Sequence, residues 1–215
     1  AALRAGGEAT GASGGDLRVS CRPDDATPDA HAPDGADAER EVREALEPTL
    51  DEPDEARFEV QVGETFAGRA GNTATHLLET EGVGSVGIAR PEAALLARTD
   101  IDSAAMKLRS TPVVLGPAPG GRVTYAAFAE PIDFGECYAP PALETLTDRA
   151  LDAGLEVGFL ESKPYLRSKA DLANLIVDVR TRRKADALVP PHLAEWIGNC
   201  DLTVLADRDG LALEG

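Results

Sequence analysis

Apolar and polar positions alternate along residues 17–22: Leu17, Val19 and Cys21 fall on one side, Arg18, Ser20 and Arg22 on the other. A period of two predicts a half-buried strand. The rhythm returns in RFEVQV, where Phe58, Val60 and Val62 are expected to face inward. Between these two runs the period lengthens. Val42, Ala45 and Leu46 make one helical stripe, which Pro48 ends. After the glycine-rich stretch GETFAGRAGNT (63–73), a helix is expected over ATHLLETE, capped by Asn72 or Thr73 and stopped by Gly82. VGSVGIA (83–89) is small or apolar throughout, as suits a strand covered on both faces. Pro91 fits the first position of a helix over PEAALLAR, and a second short helix is expected around SAAMKLR.

TPVVLG and RVTYAAFA flank PAPGG, the pattern of a hairpin. From residue 142, Leu143, Leu146, Ala150 and Leu151 share a helical face that Gly154 terminates, and LEVGFL reads as a strand. Ser168 and Asp171 have capping-box spacing before a helix whose stripe is Leu172, Leu175, Ile176 and Val179. Pro190 and Pro191 break the chain ahead of HLAEWIG; DLTVLAD, a DRDG turn and LALE close it as a terminal hairpin. The expected fold class is α/β: a single domain with a mixed, partly parallel sheet flanked by helices and a C-terminal β-hairpin.

The chain has 215 residues, enough for one core. The Gly/Ala-rich residues 1–15 read as a flexible N-terminus, and 16–215 as one domain with acidic loops at 23–36 and 48–56. Aromatic residues make up only 4%, so the core is expected from Leu, Val, Ile and Ala. The net charge of −17 is dispersed along the chain, and lysine is scarce beside arginine. That is the pattern of a halophilic, acidic protein kept hydrated in concentrated salt, rather than one acidic block made to mimic nucleic acid. It also weakens paired carboxylates as a sign of acid–base chemistry. Cys21, Cys137 and Cys200 are odd in number and lack CxxC spacing, so neither a zinc site nor a disulfide framework is expected. No continuous apolar segment suits a signal peptide or a membrane span, so the expected location is cytoplasmic, with no membrane partner.

The glycine-rich stretch raises the question of a phosphate loop. In GxxxxGK[ST], glycines let backbone N–H groups converge on phosphates, the lysine reaches the terminal phosphate and the hydroxyl binds the metal. Gly63 and Gly68 have that spacing, but Arg69 fills the lysine slot and Ala70 the hydroxyl slot. Moving the register to Gly71, Asn72 and Thr73 restores the hydroxyl and loses the charge. No working NTPase loop is expected, and GxGxxG is absent. Gly68, Gly71, Asn72 and Thr73 stay as residues that could hold an anion at a helix N-terminus. His31, His76 and His192 have no metal-binding spacing, no GxSxG occurs, and Cys137 and Cys200 read as packed thiols before nucleophiles. No catalytic residue, metal or cofactor is assigned.

One local reversal of charge stands out. Lys163, Arg167, Lys169, Arg180, Arg182, Arg183 and Lys184 crowd together with only Asp171 and Asp178 among them. The first half follows a strand, where ligands collect in doubly wound sheets. The second half ends a helix, where cations complement the dipole. The function expected from this contrast is a non-catalytic or regulatory module. It would bind an anionic small molecule or nucleic acid through Lys163, Arg167, Lys169, Arg180, Arg182 and Arg183. An enzyme acting on a small phosphorylated metabolite, and a subunit of a protein complex or homo-oligomer, are the alternatives.

Overall fold

Six of the seven residues of β5 (Arg122–Phe128) are buried, which places this strand at the centre of the main sheet. The computed structural model describes residues 15–23, 37–50, 53–206, 208 and 210–214. The N-terminal stretch and most of the 23–36 loop expected from the sequence lie outside them. β5 pairs antiparallel with β4 (Val113–Ala118) on one side and with β3 (Val86–Ala89) on the other. β6 (Val157–Phe159) pairs parallel with β4, giving the order β3-β5-β4-β6. Hence β3, β4 and β6 run in one direction and end along one edge, where β5 begins.

The sheet is covered on both faces, as its apolar strands require. On one face Val113, Leu115, Ala126 and Phe128 meet Ala74 and Leu77 of one helical segment and Ala142, Leu146 and Ala150 of another. These belong to α2 (Phe66–Thr75), which continues as a π turn over His76–Thr80, and to α4 (Ala142–Asp152). On the other face Val114, Tyr125 and Ala127 pack with Ala104 of α3 (Arg98–Lys107). A third cluster joins Leu95 to Leu175, Ile176 and Val179 of α5 (Lys169–Lys184) and Ile197 of α6 (Pro191–Asn199). The antiparallel pair β7 (Thr203–Ala206) and β8 (Leu211–Glu214) closes this last layer. At the other end of the chain, β1 (Arg18–Cys21) and β2 (Arg57–Val60) form a two-stranded parallel sheet beside α1 (Ala38–Leu46).

The mixed α/β architecture and the terminal hairpin are as the sequence implies, and the capping box is present: Ser168 Oγ accepts the Asp171 N–H at 3.1 Å, and Asp171 accepts the Ser168 N–H at 2.9 Å. Three expectations are corrected. Val60 and Val62 are 51% and 73% exposed instead of facing inward, because among the described residues β2 finds a strand partner only in β1. No helix forms over PEAALLAR; tight turns replace it, and the Glu92 carbonyl accepts Leu166 N–H at 2.9 Å instead of serving a helical ladder.

The third correction concerns the glycine-rich stretch, which is largely helix. α2 starts at Phe66, with Thr65 Oγ1 accepting the Gly68 N–H at 3.0 Å. Tertiary packing overrides glycine's poor helix propensity here. A Cβ on Gly71 would lie 2.5 Å from Cβ of Phe134, so only glycine lets this loop close on α2. Gly71→Ala, favourable for an isolated helix, is therefore expected to destabilise the protein by about 1–3 kcal/mol in a denaturant titration. A gain in stability would show that the 131–135 loop yields.

Candidate functional site

The carboxyl edge of β3, β4 and β6 is built by the segment that leaves β6. Leu160 N–H donates to Leu115 O, Lys163 N–H to Pro117 O and Leu166 N–H to Glu92 O, at 2.9, 3.0 and 2.9 Å. Residues 160–166 are thereby laid across the strand ends. Arg90, the first residue after β3, is fixed by its own N–H to Thr124 O at 2.9 Å. Its guanidinium bonds Glu92 twice, at 3.0 and 3.3 Å, donates to Tyr165 Oη at 3.2 Å and lies 3.9 Å above the Phe66 ring. Phe66 in turn meets Tyr138 edge-on at 4.8 Å. Burial pulls the Arg90 pKa down, but the Glu92 and Tyr165 contacts outweigh it and raise it. Tyr138 Oη is buried with no partner among the described residues.

Further along this edge Arg122, the first residue of β5, reaches Asp171 at 3.6 Å and lies 5.3 Å from the Tyr165 ring. Lys163 Nζ sits 3.0 Å from Asp100, whose other oxygen accepts the Ala97 N–H at the start of α3. Burial opposes the Asp171 charge, but hydrogen bonds from Ser168 and the Arg167 N–H hold its carboxyl below the usual range. Arg167 and Lys169 are exposed just beyond, with no carboxylate partner among the described residues. The edge thus holds Arg90 and Arg122 beside Tyr165, with Lys163 and Arg167 two residues to either side of it in the chain. A depression of about 350 Å³ lined by Gly121, Pro141, Leu143 and Phe159 carries Glu144 and Asp148 and so disfavours anions.

The cations that crowd the sequence do not share one place. At 1.5 Å per residue, α5 puts Arg183 about 21 Å from Lys169. Arg182 is paired with Asp178 at 2.8 Å, Arg180 donates to Leu202 O at 3.4 Å, and the Arg183 guanidinium stands beside Gly198 near the end of α6. Arg180 and Arg183 thus tie the last turns of α5 to later segments, while Arg182 is paired within the helix. Gly68, Gly71, Asn72 and Thr73 all lie within α2. The Gly68 N–H is used by Thr65, Gly71 is packed on Phe134, and the Asn72 amide donates to Val62 O at 2.8 Å. They do not converge on a common point. Conversely, Arg90, Glu92, Asp100, Arg122 and Tyr138 contribute to the edge but carried no motif. The available signal was position: a charged pair directly after the small-residue strand VGIA, and an arginine directly after Gly120–Gly121.

Among the described residues, no group of three or more His, Cys, Asp or Glu side chains is placed to hold a metal. Cys137 is buried and donates to Asp133 O at 3.2 Å; burial pushes its thiol up to about 11. It is expected to resist alkylation at neutral pH in the folded protein and to react at an ordinary rate in denaturant, a difference that mass spectrometry reads directly. His192 is exposed at the start of α6, and His76 lies 3.4 Å from Glu81 on the far end of the π turn.

No protein-family description matches the chain, and no curated protein does. Among solved structures, the chain is similar to a protein from Desulfovibrio desulfuricans G20 described provisionally as a nucleotide-diphospho-sugar transferase. The TM-score is 0.58 and the identity 17%, over 85% of this chain and 75% of the other. At that identity the likeness is one of fold. Among the described residues, no helix is long and apolar enough to cross a membrane.

Proposed function

We propose that this protein is a non-catalytic, cytoplasmic binding module for a phosphate-bearing ligand, held at the carboxyl edge of β3, β4 and β6 by Arg122, Lys163 and Arg167, with Lys169 adding charge at the rim. The observation that carries the reading is that Arg122 stands beside Tyr165, with Lys163 and Arg167 on the same segment across the strand ends, at the edge where open α/β sheets collect ligands, in a chain whose net charge is −17. The Arg122–Asp171 contact is long, at 3.6 Å, so an incoming phosphate can take the guanidinium at small electrostatic cost. Phosphate groups are what the relative of similar fold would handle by its description, and a nucleoside diphosphate is the ligand class to try first. The non-catalytic part rests on the packing of Arg90: its fork is already spent on Glu92 and Tyr165, and Phe66 and Tyr138 cover it.

Calorimetric titration with ADP and UDP in molar KCl tests the reading. Wild type is expected to bind, and Arg122→Glu with Arg167→Glu is expected to weaken binding at least about 10-fold, as removal of charge-assisted hydrogen bonds does. Binding unchanged in that variant rules the site out, and turnover of a nucleotide sugar by wild type would make the protein an enzyme. The enzyme alternative has one observation in its favour: Phe66 at the start of α2 and Tyr165 beyond β6 touch the same arginine, so the two segments do meet at this edge.

A further inference from the structure

Arg69 is 4% exposed and is the one buried cation among the described residues. Its Nε donates to Gln61 Oε1 at 2.8 Å, and its Nη1 donates to the carbonyls of Glu64 and Gly63 at 2.9 and 3.3 Å. All three acceptors are neutral. The other well-covered arginines, Arg18, Arg90 and Arg122, each have a carboxylate within 4.0 Å. Arg69 has none among the described residues, although the chain carries 38 acids. Burying a charge without a counter-ion costs several kcal/mol, so a single Asp or Glu here would relieve an evident penalty.

A second arginine follows on the adjoining strand. The β1–β2 ladder pairs Cys21 with Val60, and Gln61 N–H continues it to Cys21 O at 2.8 Å. The next residue on β1's side is Arg22, exposed and without a carboxylate partner among the described residues. It is therefore the cross-strand neighbour of Gln61, the side chain that Arg69 grips. Burial first, and then the charge of Arg22, lower the Arg69 pKa, consistent with two cations sharing a site where no described residue is an acid partner. Gly63, at φ +136°, lets the chain turn closely over the start of α2 and present its carbonyl to Arg69. Nη2 of Arg69 makes no hydrogen bond to a described residue and stays available.

We infer that Arg22 and Arg69 form a subsite for a phosphate group at the carboxyl ends of β1 and β2, separate from the edge of the main sheet. The chemistry is that of two guanidinium groups on one dianion: Arg69, fixed by its three neutral bonds, offers the Nη2 that no described residue takes, and Arg22 closes from solvent. A phosphate supplies negative charge that no described residue brings to this corner of an otherwise acidic molecule. Phe66, one turn ahead of Arg69, packs on Arg90, so α2 links this corner to the main edge.

Titration of the full-length, nitrogen-labelled protein with inorganic phosphate in molar KCl tests the subsite independently of the proposed function. Saturable shifts are expected at the amides of Gly63, Glu64 and Arg69 and at Arg69 Nε–H. Arg22→Gln, at an exposed position that leaves folding intact, is expected to weaken those shifts about 10-fold, whereas Arg167→Glu leaves them unchanged. Absence of shifts at these groups, or equal affinity in Arg22→Gln, would overturn the inference and leave Arg69 as a clamp on the 61–64 turn. Shifts confined to residues 122 and 163–168 would overturn it while upholding the edge site.

Discussion

Replacing Phe128 with alanine is expected to lower stability by about 3–5 kcal/mol, the range for deleting a fully buried aromatic ring. Phe128 is 0% exposed, pairs with both Val86 and Val113 across the sheet and meets Phe134 edge-on at 5.0 Å. It therefore joins the central strand to the 131–135 loop that closes on Gly71. Collapse of α2 or α4 into the space is opposed by the sheet itself, so most of the cavity should persist. Chemical denaturation reads the loss; a change under 1 kcal/mol would mean that the neighbouring side chains refill the site at ease.

The second large effect is at Arg90. Substitution by methionine removes a guanidinium that binds Glu92 and Tyr165 and packs on Phe66, and it leaves a half-buried carboxylate alone. Removing one member of a fully buried pair costs about 3–5 kcal/mol; with both groups partly open to water, about 2–4 is expected. The pH dependence identifies the cause. Burial by itself raises the Glu92 pKa, but the hydrogen bond and charge of Arg90, its own backbone N–H and Tyr165 bring it below its ordinary value of 4.5. A carboxyl depressed in the folded state contributes stability above its unfolded pKa, and that contribution is lost as pH falls through the folded pKa. Wild type should thus lose this increment on acidification below 4.5. In Arg90→Met only the backbone N–H and Tyr165 still oppose burial, so the increment shrinks. An identical pH profile in the two proteins would assign the Arg90 effect to packing alone.

The fold was legible where one local signal decided each element. The PAPGG hairpin, the Ser168–Asp171 capping box, the Gly82 stop and the Pro190–Pro191 break each rest on backbone chemistry that acts within a few residues. The elements that differed depend on contacts distant in sequence. α2 forms across two glycines, with Phe134 packed against one of them, and 91–97 is held in turns whose Glu92 carbonyl accepts both the Ala94 and the distant Leu166 N–H. The candidate site was legible in part for the same reason. Lys163 and Arg167 follow a strand in sequence, so position alone brought them to the edge. Arg180, Arg182 and Arg183 are near them in sequence but a helix length away in space. Arg90 and Arg122, which complete the edge, come from strands remote in the chain, and no spacing rule joins them.

Photo-crosslinking of wild type with an azido-substituted uridine diphosphate in molar KCl, followed by peptide mapping, tests most directly whether an anion is held where three parallel strands end. Label is predicted on peptides spanning 119–124 and 160–171, suppressed by excess unmodified diphosphate. Label confined to 180–184, or none above the level of an unfolded control, would contradict it.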